Sequence, residues 1–190
     1  EVLYAMVAAS EFEWVCANVS DMVGELPMKP YTTLTVADVD IAFVGVVATD
    51  CNGRPLGGEE AYKDFSFADD CTTAYDVSQS VAEDVDFVVL LSHMGHEMDL
   101  RLTSMSHGYD WIAGGHSHDT VNETVDGVQI SQNRKDVRYV TIADLTIKNG
   151  EILNVEYTQV ESANYNEDEA IRAIVDEVKA RDPGLNTIEG

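Results

Sequence analysis

Basic side chains are scarce in this 190-residue sequence: 11 lysines and arginines stand against 35 aspartates and glutamates, a formal net charge of −24. A field of that sign repels a nucleic acid backbone, which argues against a nucleic acid polymer as partner. A local cation can still hold a phosphate, because the ion brings its own positive charge. The acidity fits plain solubility, and it equally fits adaptation to high salt, where screening removes self-repulsion. Proline (4) and glycine (13) are too few for a disordered chain. No apolar run reaches the ~18 residues of a membrane-crossing helix. Glu1 opens neither a signal peptide nor a basic targeting arm, and there is no initiator methionine. The expectation is therefore a mature, trimmed or excised piece. Cysteine is limited to Cys16, Cys51 and Cys71, with no CxxC pair, so thiolate zinc sites are not indicated. Cys16 lies in the apolar segment WVCANV and reads as a buried thiol. Cys51 and Cys71 bracket a polar, glycine-bearing loop across which a disulfide is geometrically possible. Asn18-Val19-Ser20 and Asn122-Glu123-Thr124 match the glycosylation triplet, a pattern common by chance.

What is present is 45% hydrophobic residues, enough for one domain that buries roughly 70% of its unfolded surface. Val2, Leu3, Met6 and Val7 recur at helical spacing, so Glu1 to Ser10 reads as a helix. Phe12 to Val19 reads as a strand. Tyr31 to Val36 and Ile41 to Ala48 read as a hairpin turning at Asp38 to Asp40. IAFVGVVA is apolar at every position, as in strands covered on both faces. Thr49 to Asp70 reads as a long irregular loop. Thr72 to Asp84 is predicted helical, with Ala74, Val77, Val81 and Ala82 inward. Strands are predicted at Asp86 to Leu91 and Tyr109 to Ala113, with a short helix over Met98 to Met105 between them. The remainder alternates: strands at Val128 to Gln132, Val137 to Thr146 and Ile152 to Val160, the last two joined by an Asn149-Gly150 hairpin. Glu167 to Ala180 reads as an amphipathic helix capped by Asn166, with Ile171, Ile174, Val175 and Val178 on one face.

Chemistry concentrates on histidine. Four of the five histidines, His93, His96, His116 and His118, directly follow two apolar strands. Strand ends of that kind commonly carry ligand sites in α/β sheets, and imidazole suits zinc, iron, manganese or nickel. In GGHSH the one-residue spacer lets His116 and His118 share one ion or flank two. The alternative is a pair of surface histidines on a glycine turn. In LLSHMGH, His93 sits at the strand's end, whereas His96 lies on the helical side and could approach substrate or orient a neighbour.

The segments ANVSD, KPYTTL, IAFVGVVATD, VVLLSHMG and DWIAGGHSH, in this order over most of residues 1–160, resemble the calcineurin-like metallophosphoesterases. The branch they resemble contains 5'-nucleotidases and 2',3'-cyclic-nucleotide phosphodiesterases. The resemblance implies an α/β fold, the C-terminal portion of a four-layer α/β/β/α sandwich with mixed sheets. It implies residues 1–162 as part of that domain, and 163–190 as a bridging helix and linker toward a further domain. It implies two divalent metal ions (zinc, manganese, iron or another) that activate water for attack on phosphorus. His93 and His116 would ligate one ion and His118 the other. His96, Asp110 and Asp119 would contact substrate or support the ligands from behind, with Asp110 the more structural of them. A nucleotide or other phosphoester small molecule would be the substrate, and an extracellular or periplasmic location would follow.

The family's DxH, GD and GNHE motifs, which carry its bridging aspartate and catalytic histidine, are not in this sequence. No catalytic residue is therefore assigned. Asp50, Asp64, Asp69 and Asp119 are carboxylates that could in principle replace missing ligands. Two functions follow: a metal-dependent phosphoester hydrolase whose activity is incomplete in this chain alone, or a silent metal-binding or assembly domain that kept the scaffold. Loss of neighbouring strands should leave Ile41 to Ala48 and Phe87 to Leu91 with open edges. The chain would then self-associate or pair with the missing N-terminal segment.

Overall fold

The structure, a computed structural model, describes residues 2–22, 28–50, 54, 59–105 and 108–182. Helix α1 (Val2–Ala9) is followed by β1 (Val19–Asp21), β2 (Tyr31–Val36) and β3 (Val39–Val47). A 3-10 turn (Glu59–Tyr62) leads to β4 (Phe65–Phe67) and α2 (Asp70–Ala82). Then come β5 (Phe87–His93), α3 (His96–Thr103), β6 (Trp111–Gly114), β7 (Thr120–Val125) and β8 (Val128–Asn133). The chain closes with β9 (Tyr139–Lys148), β10 (Glu151–Glu161) and α4 (Glu169–Arg181).

The centre is a six-stranded mixed sheet of order β2-β3-β5-β6-β8-β7. Strands β3, β5, β6 and β8 run parallel, and β2 and β7 flank them antiparallel. This is the mixed α/β arrangement expected from the sequence. Helices α2 and α3 lie against the sheet. Side chains alternate across a strand, so Ala42, Val44, Val46, Val88 and Leu90 join Ala74, Val81 and Leu102 in one buried cluster. Of the four layers expected, the described residues build this helix layer, the mixed sheet and two small two-stranded sheets, β1–β4 and the β9–β10 hairpin. Gln159 ties the hairpin to the sheet: its Nε2 donates to the carbonyls of Val121 (3.0 Å) and Gln132 (2.9 Å).

Several sequence expectations change. Strands β3 and β5 are not open-edged: β3 lies between β2 and β5, and β5 between β3 and β6. The β2–β3 hairpin covers the edge, turning at Ala37-Asp38, where both residues have positive φ, with Val36 opposite Val39. The edges are β2 and β7. Nor is β3 covered equally on both faces, since Ile41, Phe43 and Val47 are only partly buried. Phe12 to Val19 forms no regular strand. It is held by scattered bonds, with Cys16 N–H donating to Lys29 O (2.8 Å) and Ala17 N–H to Gly45 O (2.7 Å). Within the expected loop, β4 pairs with β1. Strand β7 carries only Val121 and Val125 as apolar residues, too few for its pattern to mark a strand. Asp168, not Asn166, caps α4, its carboxylate accepting from the N–H groups of Ala170 and Ile171. The apolar face of that helix (Ile171, Ile174, Val175, Val178) is exposed.

Cys16 is buried and Cys71 partly so, both as free thiols. Cys51, and with it the pairing considered above, lies outside the described residues. Asn18 is only 2% exposed. Its Nδ2 donates to Val47 O (2.8 Å) and Ala68 O (3.3 Å), and its Oδ1 accepts from Val47 N–H (3.0 Å). It pins the end of β3 to the β1–β4 pair and is closed to glycosylation. Among the described residues no helix is long and apolar enough to cross a membrane.

Gly45 is where the irregular Val15 segment crosses β3. A Cβ there would run into the carbonyl of Val15, with Val15 C at 2.9 Å. Backbone gives way poorly, so Gly45→Ala should lower stability by about 1–3 kcal/mol, read as a shift of the urea midpoint at unchanged m-value.

Candidate metal centre

Strands β5 and β6 are parallel and in register, with Leu91 opposite Ala113. Both therefore release their chains at the same edge of the sheet. Period two decides which face each residue takes. Leu91 and His93 are exposed on the open face, and Ser92 between them is buried. At the end of β6, Gly114 and Gly115 let the chain pass close to β5. A Cβ on Gly115 would come 3.1 Å from His93 Nδ1, and one on Gly114 would collide with the Asp99 carboxylate and Gln132.

The structure brings His93 and His116 together, with ring centres 5.2 Å apart and planes at 72°. Two imidazoles on one ion, each at about 2.0–2.1 Å from it, would have ring centres about 5 Å apart, so the pair has the separation that shared ligation requires. Although His93 reaches the open face, partial desolvation of its ring, followed by His116 and His118, holds it below the ordinary imidazole value. Neutral imidazole is the ligating form. His118 is thus close enough to act on His93 electrostatically. It does not complete a ligand set: among the described residues no group of three His, Cys, Asp or Glu side chains is placed to hold a metal ion.

His116 (φ 76°) and His118 (φ 61°) both occupy the left-handed region. That conformation costs an L-residue roughly 1–2 kcal/mol, and such strain collects at functional sites. Gly95 (φ 93°) opens α3 in a backbone conformation that glycine adopts freely.

The remaining candidates sit apart from this pair. His96 turns to β7, its Nε2 3.3 Å from Glu123 Oε1, while its Nδ1 is buried without a hydrogen-bond partner. Asp110 lies at the opposite end of the sheet, before β6. There its Oδ2 accepts from Val88 N–H (2.8 Å) and its backbone bonds to β5 and β8. This is a strand-joining role. Asp119 is exposed, and its carbonyl accepts from Arg134 N–H (2.9 Å). Asp69 is engaged as the α2 cap, accepting from Thr72 N–H, and that bond holds its carboxyl below the usual range. Asp50 accepts from Arg54 N–H. Asp64 lines the groove described next.

On the open face, a groove of about 1060 Å³ runs from α1 across β3 to the two histidines. Tyr4, Trp14, Phe65, Leu91, His93 and His116 are among its walls. Four residues that sequence reasoning did not single out lie behind the site: Ser92, Asp99, Ser117 and Gln132. Only Ser92 and Ser117 carried any signal, as neighbours of histidine.

No protein-family model matches the chain. Among curated proteins it is similar to UshA of Salmonella pullorum, at 27% identity over 146 residues, covering 69% of this chain and 25% of that protein. Among solved structures it superposes on the Thermus thermophilus sulfate thiohydrolase SoxB with TM-score 0.78 and 22% identity, covering 95% of this chain and 34% of that one. It superposes on a 5'-nucleotidase precursor from Thermus thermophilus with TM-score 0.73 and 23% identity, covering 93% and 40%. The chain thus spans about a quarter of the curated relative and a third or more of the two solved structures.

Two outcomes check the site. The His93 ring should titrate below 6.5 by NMR, and His116→Ala should move it upward by removing a like charge. Because the folded value is depressed, the folded state binds fewer protons, so this group's contribution to stability falls as pH drops through 6.5. His118→Gly should be more stable than His118→Ala by about 1 kcal/mol, because only glycine relieves the left-handed backbone, as measured by urea unfolding.

Proposed function

We propose that this chain, which has the calcineurin-like metallophosphoesterase (5'-nucleotidase-family) fold over most of its length, carries the imidazole part of a site for metal-dependent hydrolysis of nucleotide phosphoesters. The observation that carries the reading is the His93–His116 pair, 5.2 Å apart at adjacent parallel strand ends. His93 and His116 would hold one divalent ion, and His118 would serve a second. Bound there, such ions supply polarisation of a phosphoryl oxygen and a nucleophile at neutral pH. The downward shift at His93 weakens competition from protons for the ring nitrogen, and the open groove leaves room for substrate or further ligands.

Among the described residues no carboxylate joins the two histidines in a ligand group, so on this reading other residues would complete the site. A second polypeptide segment or a second copy laid along the groove would bring them. The fold does not choose the ester: one structural neighbour is a sulfate thiohydrolase and another a 5'-nucleotidase precursor. Phosphoester chemistry is preferred here for the nucleotidase likeness, and an extracellular or periplasmic location goes with it. The incomplete ligand set also favours a second reading, a silent metal-binding or assembly domain.

Calorimetric titration with zinc and manganese tests these readings. The chain should take up one weakly held equivalent, and His93→Ala or His116→Ala should each weaken it by about tenfold or more. Hydrolysis of an aryl phosphate should be absent in the isolated chain and appear when a carboxylate-bearing segment is supplied. Unchanged affinity in both variants sinks the site. If metal binds as expected but no added segment restores hydrolysis, the silent domain is the correct reading.

A further inference from the structure

A continuous chain of hydrogen bonds lies behind the histidine pair, and it joins the two segments that carry them. Asp99, on α3, is fully buried. Its Oδ1 accepts from Ser92 Oγ (2.5 Å), one residue before His93. Its Oδ2 accepts from Gln132 Nε2 (3.2 Å). Gln132, 1% exposed on β8, uses its Oε1 to accept from Ser117 Oγ (2.8 Å), the residue between His116 and His118. Ser117 Oγ accepts in turn from His96 N–H (3.1 Å), and Ser92 Oγ from Met94 N–H (3.2 Å). Every polar atom of the Gln132 amide is thus engaged with one side or the other. Gly114 fits the same construction, because any Cβ there would occupy the space of the Asp99 carboxylate and the Gln132 side chain.

We infer that Gln132 and Asp99 are positioning residues that set the approach of His116 to His93. The inference rests on the reading of that pair as ligands for its functional meaning, but not for its test. A core of this size could be filled with apolar side chains at less risk, since a half-satisfied buried polar network costs more than an apolar one. What the network adds is directional. Sheet pairing fixes β5, β6 and β8 relative to one another, but ends at Gly114, before His116. Between Gly114 and β7, the bond from Ser117 Oγ to Gln132 Oε1 carries the register of β8 into the histidine loop. Burial pushes the Asp99 carboxyl above the usual carboxylate range, with Ser92 and Gln132 opposing. A neutral amide at 99 can satisfy the same partners, accepting from Gln132 and donating to Ser92. Asp99→Asn is therefore the conservative replacement, and Asp99→Ala is the disruptive one.

The experiment is NMR of the metal-free protein with histidine ring assignments, read as the ring-to-ring NOE between His93 and His116 together with thermal unfolding. The unsubstituted chain and Asp99→Asn should both show the NOE. Gln132→Leu, Asp99→Ala and the milder Ser117→Ala should each lose it while unfolding remains cooperative. Should Gln132→Leu or Asp99→Ala fail to fold, Ser117→Ala carries the test alone. A variant that lowers the melting temperature but keeps the NOE would show these residues to be ordinary core, and the inference would be overturned. It would equally be overturned if Asp99→Asn lost the contact with Asp99→Ala, or if the unsubstituted chain lacked it. A chain that keeps the NOE but binds no zinc leaves the positioning role standing and removes only the metal-site reading.

Discussion

Parallel pairing of β5 with β6 is the constraint on which the site depends. Parallel strands end at the same edge of a sheet, so the segments that leave them must start as neighbours. Leu91 lies opposite Ala113, and the chains beyond carry His93 and His116 into ring contact. An antiparallel pairing of the same two strands would have sent these histidines to opposite ends. Everything nearer to the chemistry refines that placement: period two aims His93 away from the helices, and glycines at 114 and 115 remove the bulk that would hold the loops apart. The same constraint explains why Asp110 has a different life. It enters β6 at its start, and its carboxylate stitches β5 to β6 instead of meeting a ligand.

The two faces of the sheet are unequal. One is sealed by α2 and α3 over an apolar cluster. The other opens as a groove lined by aromatic and aliphatic residues that ends at the histidines. Apolar surface near strand ends is where a ligand or another chain gains most from leaving water. The overall charge of −24 works against self-association at low ionic strength and less so when screened. A cation held by His93 and His116 would change the sign of the local field without altering that of the molecule.

Much of the fold was legible because the local signals agreed with the tertiary outcome. The uninterrupted apolar runs of β3 and β5, the Asn149-Gly150 turn and the helical period of α2 each admit few alternatives. Errors arose where pairing, not periodicity, decided. Phe12 to Val19 has strand composition, but its bonds are divided between Lys29 and Gly45. Strand β7 has polar composition, yet it is a strand because β8 offers it an edge. The expectation of bare edges on β3 and β5 failed because the β2–β3 hairpin covers the outer edge of β3, and β6 pairs with β5 on its far side. Similarly, His118 and His116 look equivalent in GGHSH, but it is the His116 ring that packs edge-on against His93.

The sequence by itself marked which residues could bind a cation and that the apolar runs of β3 and β5 would enter the core, since both follow from side-chain chemistry and short-range pattern. It also determined that the histidines come at strand ends. Which imidazoles meet, and what holds them there, was decided only in three dimensions. Ser92, Asp99, Ser117 and Gln132 are 40 positions apart at the extremes of the chain segment they span, and no local period relates them. Their hydrogen bonds exist because β5, β6, β8 and α3 are brought side by side by burial. A hydrogen bond needs its partners within about 3 Å, a condition that distant residues meet only once the whole sheet has formed.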